Sequence, residues 1–260
     1  MDEFAWYIYP IVVITGFLAG FVNTLAGSGS LITLSLLVFI GIPETLANAT
    51  NRVGVVIQSL VSAGTYQQEK VLDTRGGLIL SIPATIGAIL GSYIASQLGD
   101  TDLRFVLGVV MVIMLFVILI KPKRWLEGSE ESFQGTPSLM QMTVLFIIGI
   151  YGGFIQAGVG VFLLAGLVLS AGYDLVRANA VKVLIVACLT IVSLLVFILN
   201  DQVLWGIGLL LAVGNAIGGW LAARVTINRG AEFIRWILIA VVVISAVRFL
   251  GIYDFVIGQL

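Results

Sequence analysis

Apolar residues run without a charge from Phe4 to Pro43, and again from about Ser132 to Tyr173. After the first run, shorter apolar stretches predict spans over about 46–66, 76–98 and 103–120. After the second they predict spans over 177–199, 203–223 and 233–250, of a length that suits roughly 30 Å of hydrocarbon. Pro83 falls inside the second of these stretches, where a kink buried among helices is its expected role. The two long runs are different in kind. Each is long enough for two short crossings, or for one hairpin that dips in and folds back, and each is interrupted by small polar residues.

The first interruption is Asn23-Thr-Leu-Ala-Gly-Ser-Gly-Ser30 and the second is Gln156-Ala-Gly-Val-Gly160. Their lead-ins match, since Gly16-x3-Gly20-Phe-Val-Asn23 answers Gly149-x3-Gly153-Phe-Ile-Gln156. Further on, Gly41 answers Gly172 and Ala47-Asn-Ala-Thr-Asn51 answers Ala178-Asn-Ala-Val-Lys182, displaced by 131 positions. The chain is therefore a duplication. Each copy carries a backbone break where hydrocarbon forbids one unless protein surrounds it, so a protein-lined cavity is expected at the breaks.

Composition settles the solvent. With 60% hydrophobic and 10% charged residues and a mean hydropathy of +1.13, the chain has too little polar surface for a water-soluble fold. An all-α polytopic membrane protein is expected, with the lipid bilayer as a partner and no nucleic acid. The acidic Met1-Asp-Glu start lacks the basic region of a signal peptide, so the first apolar segment is expected to stay in the mature protein. Zero histidine excludes a Ser–His dyad, a His metal site and a His proton relay. The single Cys188 cannot form an internal disulfide. No enzyme chemistry, metal or cofactor is expected.

Basic residues assign the faces. Lys70 and Arg75 mark one connection as cytoplasmic, and Lys121, Lys123 and Arg124 mark the linker so, whereas Asp100 and Asp102 fall between them on the outside. In the second copy Asn200-Asp201-Gln202 lacks a cation and reads as external, and Arg224 and Arg229 place the next connection inside. The expected organisation is thus a first transmembrane repeat over 1–125, a cytoplasmic linker over 126–137 and a second transmembrane repeat over 138–260. The repeats have inverted topology, each with a broken or re-entrant first segment followed by three spans. Inverted repeats with interrupted helices are the signature of a secondary transporter whose site lies where the repeats meet.

The charges within the spans choose the sign of the substrate. None of the 14 acids falls inside a predicted apolar core. Arg52 and Lys182 each lie a turn or two into a span, beside Asn48, Asn51 and Asn179. Such cations line a watery path or hold a ligand, unless they snorkel to the headgroups. Asn23 and Gln156 are amide donors beside the breaks, able to hold an oxyanion or to cap freed backbone. A helix starting near Gly29 or Gly160 would aim N–H groups and a positive dipole end at an anion, with Gly27 and Gly158 allowing close approach and Ser28 and Ser30 offering hydroxyls. For Gly16-x3-Gly20, Gly149-x3-Gly153, Gly87-x3-Gly91 and Gly214-x3-Gly218, helix packing is the reading.

The pattern Gly-Phe-Val-Asn23-x3-Gly-Ser-Gly-Ser30 with Ala-Asn-Ala-Thr-Asn-Arg52, and its partner Gly-Gly-Phe154-x2-Ala-Gly-x-Gly160 with Arg-Ala-Asn-Ala-x-Lys182, resembles the sulfite exporter TauE/SafE family over nearly the whole chain. The resemblance implies a permease of the bacterial inner membrane for sulfite, sulfoacetate or related organosulfonates. It points to Gly27, Ser28, Gly29, Asn48, Asn51 and Arg52 with Gly158, Gly160, Asn179 and Lys182. Val159 and Val161 stand where the first copy has Ser28 and Ser30, so a site built on hydroxyls would be asymmetric. An anion channel and an uptake permease for another oxyanion stay open, as do the exact substrate, the coupling and a homodimeric assembly.

Overall fold

The computed structural model describes residues 5–99 and 136–249, all helix and connections with no strand among them. In chain order the helices are α1 (Ile8–Ala26), α2 (Ser30–Phe39), α3 (Glu44–Gln68), α4 (Thr74–Gln97), α5 (Leu139–Phe154), α6 (Val159–Ala171), α7 (Leu175–Leu199) and α8 (Trp205–Phe249). The span expected over 103–120, the residues Asp100, Asp102, Lys121, Lys123 and Arg124, and the linker as far as residue 135 lie outside the described residues.

The ends of these helices are set by local chemistry. α1 stops at Gly27, which takes φ 78 and turns its N–H back to the Asn23 carbonyl at 2.8 Å. Gly158 and Gly172, both left-handed, bound α6. Asp73 caps α4 by accepting from the Gly76 N–H, and Asp174 caps α7 by accepting from Val176 and Arg177. Ser138 and Gln141 close a reciprocal capping box at the start of α5. α4 continues through Pro83.

Length decides what the two long runs do. α2 has 10 residues and α6 has 13, about 15 and 20 Å at 1.5 Å per residue, too short to cross. α2 folds back along α1, so that Leu37 and Ile42 at its far end pack with Val12 near the start of α1. α6 does the same, since Gln141 at the start of α5 donates to the Ser170 carbonyl at the end of α6 at 2.5 Å. Each long run is a hairpin that returns to the face it entered.

Among the described residues, four helices are long and apolar enough to cross a membrane: Ile8–Ala26, Thr74–Gln97, Leu175–Leu199 and the first arm of α8, Trp205–Gly230. α3 equals α7 in length at 25 residues but carries Asn48, Asn51, Arg52, Gln58, Ser59 and Ser62, all buried by protein. Ile82, Ile86 and Tyr93 on α4, and Leu209, Val213 and Ile217 on α8, are exposed and form the lipid-facing surface. Polar residues inside and apolar ones outside is the arrangement that a hydrocarbon solvent requires. One expectation is corrected here. The connection read between spans 203–223 and 233–250 is helical, and α8 runs through Arg224 and Arg229 until Gly230, whose φ of 71 with ψ of −170 only glycine adopts readily.

The small-residue pairs place backbone against backbone. A Cβ added at Gly16 or Gly20 of α1 would meet Leu211 or Asn215 of α8, and one at Gly214 or Gly218 would meet Val13, Phe17 and Phe21 of α1. Gly149 and Gly153 of α5 meet Ala84 and Ala88 of α4 in the same way, and Gly87 and Gly91 meet Phe146, Ile150 and Phe154. Residue numbers rise together in both pairs, so the partners run parallel. The first helix of each half therefore packs on the fourth described helix of the other half, held by close van der Waals contact where lipid offers no hydrophobic drive.

Candidate functional site

The two breaks touch. The Gly160 N–H donates to the Gly27 carbonyl at 3.3 Å, and a Cβ on either glycine would overlap the backbone of the other. The neighbouring gap is about 180 Å³, lined by Asn23, Gln58, Ser59, Lys182, Val183 and Val186, and is too narrow for a water-sized sphere. The cavity expected at the breaks is thus closed in this conformation. Two glycines let the backbones meet directly and leave no space between them.

Gly29 and Gly158 cap the starts of α2 and α6, with Ser30 and Val159 as first helical residues and Ser28 in the break itself. Gln156 takes φ 66 in the longer second break, Ile155–Gly158. These starts do face inward, but so do the ends of α1 and α5. The inner ends of α1 and α5 are where the two cations lie.

Arg52 is fully buried. Its guanidinium donates to the carbonyls of Gly152 at 3.1 Å and Gly153 at 2.5 Å and to Gln156 Oε1 at 2.8 Å, with its carbon 4.8 Å from the centre of the Phe197 ring. Asn48 adds a bond to the Phe154 carbonyl at 2.9 Å. Together they cap the last turn of α5. Lys182, 1% exposed, donates to Thr24 O at 2.7 Å and Asn23 O at 3.3 Å, capping the last turn of α1. Each cation thus comes from one half and sits on the negative end of a broken helix in the other. Snorkelling is excluded by burial. The positions are neighbours in the repeat and not equivalents, since Lys182 answers Asn51 while Arg52 stands one residue further on.

The amides are engaged with side chains. Asn23 Nδ2 donates to Gln58 Oε1 at 2.6 Å, Gln58 donates to Thr24 at 2.7 Å, and Thr24 meets Ser62 at 3.1 Å. Gln156 donates to Thr190 at 2.6 Å, Thr33 to Asn51 Oδ1 at 2.5 Å, and Asn179 to the Tyr66 hydroxyl at 3.0 Å. So neither Asn23 nor Gln156 spends its donors on freed backbone. Among the sequence-predicted residues several buried atoms remain without a partner in the protein: the Ser28 and Ser30 hydroxyls, Asn51 Nδ2, Arg52 Nε, Asn48 Oδ1 and Asn179 Oδ1. A buried unpaired polar group costs about 1–3 kcal/mol, so such a cluster calls for an explanation.

A protein-family model for the sulfite exporter TauE/SafE matches residues 12–249. The chain belongs to the TauE/SafE family. It is 25% identical over 251 residues to the probable membrane transporter protein ORF9 of Sinorhizobium sp, covering 96% of this chain and 95% of that one. It is 25% identical over 244 residues to the probable membrane transporter protein YfcA of Escherichia coli K12 (94% and 89%) and 23% identical over 223 residues to YdhB of Bacillus subtilis 168 (84% and 89%). No solved structure matches. As a TauE/SafE protein the chain is a membrane transporter and not an enzyme.

The resemblance did not single out Thr24, Thr33, Gln58, Ser59, Ser62 or Thr190, all of them buried. A signal was present. Residues 48, 51, 52, 55, 58, 59 and 62 recur at helical spacing, and all except Val55 are polar, so they form one stripe on α3. Glu44, just ahead of the span expected over 46–66, opens α3 and is buried there.

Proposed function

We propose that the protein is a secondary transporter that exports a small sulfur-containing anion, sulfite or an organosulfonate such as sulfoacetate, across the bacterial inner membrane. The anion is held between the two breaks when they part. The observation that carries this reading is the set of buried donors without partners, Ser28, Ser30, Asn51 Nδ2 and Arg52 Nε, beside two buried cations. An oxyanion presents several acceptors and would satisfy these donors together. Backbone contact between the breaks favours a transporter that must rearrange over a standing pore.

The two halves are inverted copies in this reading. The reciprocal packing of α1 on α8 and α5 on α4 supports it, as do the opposite hairpins and the positive-inside bias that makes the face of Lys70, Arg75 and Arg177 cytoplasmic.

The test is ligand-dependent stability of the purified protein. Sulfite or sulfoacetate is expected to raise the melting temperature, because a ligand bound only by the folded state adds about 2.7 kcal/mol at 100 times Kd, and chloride and phosphate much less. Ser28→Ala and Asn51→Leu should weaken the effect. Equal stabilisation by all anions, or none by the sulfur anions, would overturn the proposal.

A further inference from the structure

The repeat relation lets the two ends of the molecule be compared position by position. Near the starts of α4 and α8 the displacement of 131 holds in space as well as in sequence. Gly77 faces Val181 and Leu184, while Gly208 faces Thr50 and Val53, their counterparts. On this register Asp73 corresponds to Leu204, Gly76 to Ile207, Gly172 to Gly41 and Tyr173 to Ile42.

At the basic face these positions are filled and locked. Tyr173, 1% exposed, donates its hydroxyl to Asp73 Oδ2 at 2.6 Å. Burial first, and then the Asp73 carboxylate, hold that hydroxyl above its ordinary pKa, so it stays a donor. The other Asp73 oxygen caps α4 through the Gly76 N–H at 2.9 Å. Gly76 is packed so closely under the pair that a Cβ there would overlap both the carboxylate and the hydroxyl. One bond thus ties the exit of the α5–α6 hairpin to the start of α4.

At the opposite face the corresponding positions are apolar: Ile42 and Ile207 are buried in one cluster with Leu204 packed against it, and no polar bond joins them. Gly41, Ile42, Pro43 and Leu46 on one side and Val203 to Ile207 on the other, with Tyr9, line a recess of about 460 Å³. Ile42 and Leu204 cannot form the bond that Tyr173 and Asp73 make. We infer that the Asp73–Tyr173 pair is the latch that closes the basic face, and that the recess beside Ile42 and Leu204, which no such bond spans, is where the opposite face stands open. Transport then requires the latch to break as the recess closes. This rests on the transporter reading above and adds the residues that hold one face shut.

Accessibility tests it without any transported anion. In a Cys188→Ser background, Val186→Cys places a reporter in the gap between the breaks, and a membrane-impermeant methanethiosulfonate is applied to one face at a time in oriented vesicles. Asp73→Asn keeps a residue that caps α4 and weakens the tyrosine bond. Tyr173→Phe removes the bond and keeps the ring. Tyr173→Phe is expected to raise labelling from the basic face at least about tenfold, the lower end of the ratio for one hydrogen bond to a charged group, and Asp73→Asn by less, neither raising it from the other face. The double variant should match Tyr173→Phe, because that change alone already removes the bond. Gly76→Ala should act in the same direction. Unchanged labelling in Tyr173→Phe, or an equal rise from both faces, would overturn the latch. If anion-dependent stabilisation fails but face-selective labelling holds, the substrate reading is wrong and the latch stands.

Discussion

Lys182 offers the sharpest separation of stability from function. Replacing it with Met keeps the volume of the side chain and removes its charge. In the structure the ammonium makes one good bond, to Thr24 O at 2.7 Å, and one long one, to Asn23 O at 3.3 Å. Losing a hydrogen bond from a charged donor costs about 1.5–3 kcal/mol, and the end of α1 loses a favourable cation worth about 0.3–2 kcal/mol. Against this, an ammonium no longer has to leave water, a return of several kcal/mol. The terms nearly cancel, so Lys182→Met is expected to change stability by no more than about 2 kcal/mol. Arg52→Met should cost roughly 2 kcal/mol more than that, because three acceptors around Gly152, Gly153 and Gln156 lose their donor together. Reversible unfolding in mixed detergent micelles measures both, and sulfite flux in proteoliposomes measures function, which both variants should lose. A Lys182→Met protein that unfolds more easily by 4 kcal/mol or more, yet exports at the native rate per folded molecule, would refute the reasoning and leave the lysine as a structural cap.

Three further outcomes are expected. Gly160→Val should abolish transport, since even a Cβ there overlaps Gly27, and a flux assay on folded protein checks it. Cysteines at positions 28 and 159, with Cys188 replaced, should crosslink through a short reagent, because the adjoining Gly27 and Gly160 are in contact; failure of every pair across the breaks would sink the packing described. Export should follow a membrane potential, negative inside, that is worth about 2.3 kcal/mol per charge per 100 mV, and should be insensitive to Glu44→Gln; efflux that tracks a pH gradient and stops in that variant would show proton coupling through the buried acid at the head of α3.

Much of this was legible along the chain. Composition fixed lipid as the solvent, because a 60% hydrophobic chain has nowhere else to put its surface. The glycines at 27, 29, 158 and 160 marked the breaks, and the register of 131 marked the duplication, since both are local patterns. The helix ends at Asp73, Ser138 and Asp174 follow from capping chemistry within three or four residues. Only the tertiary structure decided the rest. That the long runs are hairpins depended on where Val12 meets Leu37 and where Gln141 meets Ser170. That Arg52 and Lys182 cap helix ends, and do not snorkel, depended on carbonyls about 100 and 158 residues away. A buried charge must find a partner wherever the fold brings one, and periodicity along the chain carries no record of contacts at that separation.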